Sequence, residues 1–303
     1  MKKLFLLFLI GNISFGQITL QGLSGYYSAT ALASSGSSGI ISNTDTDQIN
    51  PSGIALLSPQ IHISIIKYPA DIYAQKVAYV NSISKATYGV VLRRINYGTF
   101  DSINDDGITD GTHSASDTWL NTSYAVKNGN LSIGLSSGLF ISNLESYNST
   151  AFIMSIGGRY DLSDVDMQIG LSWSNFGLYL SRYTKFREKL PQRITISANK
   201  GLKYLPLNIN VDIKYAPKSQ EIFARIGGVA QLPYNFKLIF GVNSDNKDQN
   251  TEYQNVKSLF GSTGIGVSYT YDKYSISIGG YSYGLGGWIY GTSFNYLINH
   301  RHN

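Results

Sequence analysis

The segment Leu207–Tyr215, with the sequence LNINVDIKY, alternates strictly between apolar and polar residues. The apolar positions are Leu207, Ile209, Val211, Ile213 and Tyr215, and the polar positions are Asn208, Asn210, Asp212 and Lys214. Successive side chains of a β-strand point to opposite faces. The pattern therefore predicts a strand with one apolar face and one polar face.

The same alternation recurs along almost the whole chain after Asn50-Pro51. Clear examples are Ile61–Ile65, Tyr88–Arg93, Leu131–Ser136 and Ile265–Tyr269. We count about fourteen such segments of roughly ten residues, with no amphipathic helix between them, as in transmembrane β-barrels. Strands of soluble β-sandwiches and propellers average nearer five or six residues. The sequence therefore predicts an all-β fold, a single transmembrane barrel of about 14 antiparallel strands with apolar side chains outside and polar side chains inside.

Successive connections between the predicted strands alternate between the two ends of the barrel, which gives two sets of connections, one of them short. If the N-terminus is periplasmic, every second connection is a short periplasmic turn and the others are external loops. The three longest connections, Gly98–Asp117, Tyr179–Leu190 and Ser244–Lys257, all belong to the external set. This distribution supports the barrel and predicts long external loops.

Tyrosine and tryptophan concentrate near the ends of the predicted strands, as the interfacial girdles of a membrane barrel require. We assign to these girdles Tyr68, Tyr73, Tyr88, Tyr97, Tyr160, Tyr215, Tyr269, Tyr281 and Tyr290. The alternative is that tyrosine simply favours strands.

The N-terminus has the three parts of a secretory signal peptide. Lys2 and Lys3 are followed by the apolar segment Leu4–Ile10, and Gly16 precedes Gln17. We predict a signal peptide at residues 1–16, a plug or flexible leader at 17–52, the barrel at 53–298 and a C-terminal tail at 299–303. Export with a barrel fold predicts an outer-membrane location.

Charge and composition argue against several classes of function and site. The formal charge is +5 and falls to 22 − 19 = +3 without Lys2 and Lys3, and no basic stretch suggests nucleic acid as a partner. The chain has no Cys, which excludes disulfides and thiolate metal sites. We predict that the lumen is lined by Arg93, Arg193, Asn208, Asn210, Asp212, Lys214 and Arg225, with Asp166 and Glu221 also facing it. Charges of both signs favour internal ion pairs or a held plug over an open diffusion pore.

Catalytic and metal-binding motifs are missing from the sequence. The four histidines, His62, His113, His300 and His302, accompany no readable nucleophile or metal motif. The loop DSINDDGITDGTH fails the calcium-loop pattern at both end positions, where it has Ser102 and His113. We therefore predict a protein that is not an enzyme and has no cofactor.

Three segments resemble the PorQ family of the type IX secretion system: Ile95–Asp117, Leu144–Ser149 and Glu188–Ile209. That family is grouped with PorV among the long-chain-fatty-acid-transporter-like barrels. The resemblance implies a fourteen-stranded outer-membrane barrel that anchors a PorZ-like protein in the cell-surface attachment complex with the sortase PorU. It transfers no catalytic residues.

The leading hypothesis is a non-enzymatic barrel that docks PorZ-like and PorU-like partners through an external loop. The candidate contact residues are Phe100, Asn104, Asp105, Asp106, Asp110 and His113. The alternative hypothesis is an outer-membrane transporter for hydrophobic solutes, which predicts a plugged lumen, an apolar pocket and a lateral opening. A lumen packed solid with polar side chains would count against the transporter. A soluble periplasmic β protein is a third reading.

Overall fold

A computed structural model of the chain describes residues 20–37, 44–103, 107, 109–183, 189–245 and 261–298. The predicted signal peptide at 1–16, the tail at 299–303 and the candidate contact residues Asn104, Asp105 and Asp106 lie outside the described residues.

The described chain forms a closed barrel of fourteen antiparallel strands. Each strand pairs with its neighbours in sequence, and β1 pairs with β14 from Gln60↔Leu297 to Lys67↔Tyr290 to close the barrel. The strands are β1 (Gln60–Lys67), β2 (Tyr73–Ile83), β3 (Ala86–Ile103), β4 (Thr109–Asn128), β5 (Leu131–Leu144), β6 (Tyr147–Leu162), β7 (Met167–Ser181), β8 (Arg193–Gly201), β9 (Leu207–Ala216), β10 (Glu221–Gln231), β11 (Phe236–Asn243), β12 (Thr263–Tyr271), β13 (Tyr274–Ser282) and β14 (Trp288–Leu297). The predicted fold class and strand number are confirmed.

In the part of the chain that the structure describes, helical structure is short and lies mostly before the first strand. It comprises a 3-10 turn at Gln21–Ser24, the helices α1 (Ala29–Ala33) and α2 (Thr46–Ile49), and a 3-10 segment at Pro51–Leu56. Single 3-10 turns occur at Ser163–Val165, Pro233–Asn235 and Gly284–Gly286. Within the described residues, no helix has the length and hydropathy needed to cross a membrane.

Strand β9 shows how the side chains divide between the two faces of the wall. Val211 and Ile213 are exposed on the outside, whereas Asp212 and Lys214 are buried inside the barrel. The other strands repeat this division, so the outer surface is an apolar belt. Such a belt is the surface that lipid covers in transmembrane barrels.

The connections differ in length at the two ends of the barrel. At one end, which we call the turn end, the connections are 84–85, 129–130, 163–166, 202–206, 232–235 and 272–273. The opposite end, the loop end, carries the longer connections 182–192 and 244–262. The long connections therefore share one end, as the sequence predicts.

The wall of the barrel is uneven in height. Strands β3 to β7 contain 14 to 20 residues, whereas the others contain 8 to 11. The predicted long loop at 98–117 is mostly strand: β3 and β4 continue past a bulge between the pairs at Asn96 and Thr99, and only 104–108 connects them. Exposed residues lie on both faces of this hairpin and most of them are polar, so the alternation that marks the membrane belt is lost there.

The N-terminal segment fills the lumen. We call its described residues 20–37 and 44–57 the plug. Its α1 packs against β11 to β14 and β1, and its 3-10 segment at Pro51–Leu56 packs against β3 to β6. The plug continues to Leu57, and the first strand begins at Gln60.

Candidate functional site: the plug and the mouth pocket

A buried ion pair joins the plug to β3, on the side of the barrel formed by the long strands β3 to β7. The Arg93 guanidinium on β3 contacts the Asp47 carboxylate on α2, and both side chains are almost wholly buried. Asn121 on β4 donates a hydrogen bond of 2.8 Å to the second oxygen of Asp47. The Arg93 guanidinium also lies 4.9 Å from the centre of the Trp119 ring, a cation–π distance. Asp47 therefore neutralises a cation that has no access to water.

A second buried ion pair joins the plug to β2. The Lys76 ammonium contacts the Asp45 carboxylate and donates a 2.9 Å hydrogen bond to Thr44 Oγ1. The hydroxyl of Ser28, at the start of α1, donates to the other oxygen of Asp45. Asp45 thus ties the two described parts of the plug to each other and to the wall.

Three glycines of the barrel wall allow the plug backbone to approach closely, and we call these positions the glycine seats. A Cβ atom at Gly264 would overlap with the carbonyl oxygen of Leu32, and one at Gly279 would overlap with that of Ala29. Gly134 stands in the same relation to the backbone of Pro51. At these three positions the wall has room for the plug backbone only because no Cβ atom is present. The plug is therefore an integral part of the fold.

A cavity of about 600 Å³ lies at the loop end above the plug, and we call it the mouth pocket. Most of its wall is aromatic and aliphatic. These side chains are Tyr26, Tyr68, Ile72, Ile95, Tyr97, Phe223, Tyr281, Tyr283 and Ile289. The floor is the plug segment at Ser24, Gly25 and Tyr26. The volume and lining are those of small-molecule binding sites.

The tyrosine hydroxyls of the mouth pocket are largely used within the protein. Tyr68 accepts from the Tyr26 N–H at 2.7 Å and donates to the Tyr26 carbonyl at 2.9 Å. Tyr97 donates to the Asp117 carboxylate at 2.7 Å. Asn243 donates to the hydroxyls of Tyr26 and Tyr281 at 3.0 and 3.1 Å. Because these hydroxyls are satisfied, the rings present mainly carbon to the pocket.

One side of the mouth pocket is charged. Arg225 on β10 binds both carboxylate oxygens of Asp245, and its Nη1 donates to the plug carbonyl of Gly36 at 3.0 Å. Burial raises the pKa of the Asp245 carboxyl, but the Arg225 guanidinium overrides this and holds that pKa below its ordinary value. Arg193 on β8 donates to Ser24 Oγ at 2.9 Å. These contacts join the plug to β8 and β10, on the side of the barrel formed by the short strands.

A narrow cleft of about 40 Å³ continues beneath the mouth pocket. It shares Tyr26, Arg193 and Arg225 with the pocket and reaches Ser174 and Asn175 on β7. At this point the wall is stepped: Ser174↔Arg193 is the last β7–β8 pair, so residues 175–181 rise above β8. Asn175 has a φ of 59° and lies beside a register shift between β6 and β7.

The structure places the predicted lumen residues Arg93, Asn210, Asp212, Lys214 and Arg225 in the interior. Arg193 and Asn208 are half-buried. Asp166 is exposed in the turn that follows the 3-10 turn at Ser163–Val165, so its assignment to the lumen is wrong. Glu221 is exposed and lines the mouth pocket at the start of β10.

Of the predicted contact residues on the external segment, the described ones, Phe100, Asp110 and His113, lie on strands of the extended hairpin. Phe100 on β3 is 54% exposed and pairs with His113 on β4, whose Nδ1 lies 3.1 Å from a carboxylate oxygen of Glu145. Asp110 is exposed near the start of β4. These residues share the hairpin but do not converge on one pocket.

Three tyrosines assigned to the girdles from the sequence point inward instead. Tyr68, Tyr97 and Tyr281 line the mouth pocket. The signal for Tyr281 was present in the sequence: Ile276 and Ile278 face outward on β13, so position 281 has the inward parity. Position along the strand alone assigns Tyr281 to the membrane interface, whereas the parity of the strand places it inside the barrel.

Comparisons with known proteins agree with the fold. No protein-family model and no curated protein sequence matches the chain. Among solved structures, the Pseudomonas putida toluene transporter TodX is similar over 89% of this chain and 96% of its own, with 12% identity and a TM-score of 0.61. The Ralstonia pickettii toluene transporter TbuX is similar over 92% of this chain and 100% of its own, with 9% identity and a TM-score of 0.62. At these identities the likeness shows the fold alone.

Proposed function

We propose that the protein is an outer-membrane transporter that admits small hydrophobic molecules through the mouth pocket. The observation that carries this proposal is the pocket itself, a cavity of about 600 Å³ lined mainly by tyrosine rings and isoleucines at the loop end. Since the loop end carries the long connections, it is the external end. The fold likeness to two toluene transporters supports the same reading.

The route out of the pocket is sideways and not along the axis. The ion pairs of Asp45 and Asp47 and the glycine seats hold the plug across the lumen. The interior around the plug is densely polar, which disfavours passage of an apolar molecule. The cleft leads instead to Ser174 and Asn175, where β7 rises above its last pair with β8. This step is our candidate for the lateral opening.

Direct binding to the purified barrel tests the proposal. Ile72 and Tyr283 line the mouth pocket and are partly exposed, so Ile72→Arg and Tyr283→Arg should fold while placing a charge in the pocket. We expect each to weaken binding of radiolabelled toluene at least about tenfold, because a charge in an apolar site is costly. The matched control is Tyr147→Arg, at an exposed loop-end position outside the pocket. Equal toluene binding by all four proteins would overturn the proposal.

A second candidate function rests on the extended hairpin of β3 and β4. In this reading the barrel is the PorQ-like component of a type IX secretion system, and the hairpin docks a PorZ-like partner that works with a PorU-like sortase. The supporting observations are the sequence resemblance and the projection of the hairpin with Phe100 exposed. Retention of a PorZ-like protein in a pull-down tests it. Replacing residues 99–114 with an Asn-Gly turn should abolish retention, and unchanged retention would reject the hairpin as the docking site.

A further inference from the structure

The narrow cleft beneath the mouth pocket contains a buried cation without a partner. Lys214 on β9 lines this cleft and is 3% exposed. Within the described residues its ammonium group forms neither a hydrogen bond nor an ion pair. An unpaired buried charge is costly, so buried ammonium groups normally have a counterion and hydrogen-bond partners. The exposed remainder of Lys214 faces the cleft, and a ligand that satisfies it must bind there.

Other donors line the same cleft. Thr195 on β8 is paired with Lys214 in the β8–β9 register, and its hydroxyl has no hydrogen-bond partner in the described part of the chain. Gln48 on α2 lines the cleft from the plug, and its buried Nε2 also has no partner there. Buried polar atoms are normally satisfied. An ammonium, a hydroxyl and an amide N–H therefore lie around one small space without acceptors of their own.

The charges near the cleft are not balanced. Arg225 and Asp45 both line it, but they are already paired with Asp245 and Lys76. On the described strands β8 to β10 the remaining buried carboxylate is that of Asp212, on the same face of β9 as the unpaired ammonium. This one carboxylate faces two cations, the ammonium on β9 and the guanidinium on β8. The imbalance favours an anion as the ligand.

The volume of the cleft limits the ligand to a small ion. The cleft measures about 40 Å³, and one water molecule occupies about 10–15 Å³ on this measure. An ion of chloride size fits together with a water molecule, whereas the cleft is small for a sulfate or phosphate with its hydration. Asn175 Oδ1 is a buried acceptor in the same cleft and has no partner within the described residues, so it can accept from that water.

We propose that the cleft binds one small monovalent anion of chloride size, which joins the plug to the wall. Lys214 supplies the opposite charge, Thr195 donates from β8, and Gln48 donates from the plug. The anion thus completes contacts that the protein groups leave open. This proposal does not rest on the proposed transport function, because its evidence is the set of unpaired donors and its test measures ion binding.

Chlorine NMR on the purified full chain in a nonionic detergent tests the site, since chloride that exchanges with a protein site gives a broadened resonance. Sodium chloride is titrated against sodium gluconate at constant ionic strength, because gluconate is too large for the cleft. We expect saturable broadening that bromide reverses and sulfate does not. Absence of saturable broadening would overturn the proposal. Reversal by sulfate at the same ionic strength would also overturn it, because that result indicates surface charge.

Variants locate the bound ion. Lys214→Met should weaken chloride binding about tenfold or more, because the anion loses its opposite charge. Gln48→Leu should weaken it to a smaller extent. The matched control is Lys237→Met, at another lysine of inward parity that lines a separate cavity, and it should bind chloride as the wild type does. Equal chloride binding by Lys214→Met and Lys237→Met would overturn the assignment to the cleft.

Thermal unfolding of the same proteins distinguishes loss of the ion from loss of the fold. In gluconate the wild type retains an uncompensated buried charge, so Lys214→Met should unfold at a higher temperature than the wild type. Chloride should raise the unfolding midpoint of the wild type and leave that of Lys214→Met unchanged, because only a protein that binds the ion is stabilised by it. The same wild-type midpoint in chloride and in gluconate would contradict the site.

Discussion

Arg93 on β3 and Asp47 in the plug form an ion pair from which solvent is almost entirely excluded. Two charges in such a place are costly to desolvate and stabilise the fold only while both are present. The pair therefore couples the position of the plug to the integrity of the wall. It is an internal pair of the kind that the mixed charges of the lumen residues predict.

Removing one partner of this pair should destabilise the barrel strongly. We expect Asp47→Ala to lower the free energy of unfolding by about 3–5 kcal/mol, because Arg93 is left as an uncompensated buried charge. Unfolding in urea, followed by tryptophan fluorescence in detergent micelles, measures this change. The double variant Asp47→Ala/Arg93→Met should recover most of the loss. The control Asp71→Asn, in an exposed pair with Lys67, should cost less than about 1 kcal/mol. A single variant as stable as the wild type would contradict the role of the pair.

A charge on the outer face should be costly at the middle of the belt. Val211 faces outward on β9 between Ile209 and Ile213. We expect Val211→Lys to lower the free energy of unfolding in lipid by about 2–4 kcal/mol if this site lies near the bilayer midplane. The control is Tyr234→Lys, in the exposed turn at Pro233–Asn235. Equal stability of the two variants would show that lipid does not cover β9.

Two neighbouring glycines on β13 lie on opposite faces of the strand: Gly279 faces the plug, and Gly280 faces outward. A Cβ at Gly279 would overlap with the backbone of Ala29, whereas the nearest atom to a Cβ at Gly280 is 3.7 Å away. We expect Gly279→Ala to displace α1, at a cost of about 1–3 kcal/mol in overpacking. Limited proteolysis of the N-terminal segment, together with conductance in planar bilayers, should report faster cleavage and a higher current for this variant. Gly280→Ala should behave as wild type. A protected plug in both variants would mean that the seat does not hold it.

Much of the barrel could be predicted from the sequence because lipid imposes a simple rule on each strand. Positions such as Ile61, Ile63 and Ile65 must be apolar, and the residues between them must not be. This alternation is required only in the part of a strand that lipid covers. At the β3–β4 hairpin exposed residues lie on both faces, so Thr112 and Asp101 carry no parity signal and the sequence pattern predicts a loop there.

The plug and the mouth pocket could not be placed from periodicity. The plug is short, small and polar, and its position depends on contacts such as Ala29 with Ser293, which are 264 residues apart. Its glycine seats are visible only when the closed barrel brings β12 and β13 against α1. Parity could have assigned Tyr281 to the interior, but the convergence of Tyr26, Tyr68 and Tyr97 on it requires the three-dimensional fold.

The most direct test of the central claim, that hydrophobic solutes enter through the mouth pocket, is the initial rate of uptake of a labelled aromatic hydrocarbon. Cells without their own hydrocarbon transporters would express the wild type, Ile72→Arg, Tyr283→Arg or Tyr147→Arg at matched levels in the outer membrane. We predict uptake well above the vector background for the wild type and Tyr147→Arg, and background rates for the two pocket variants. Uptake by the wild type no faster than the vector background, or uptake unaffected by both pocket variants, would contradict the account.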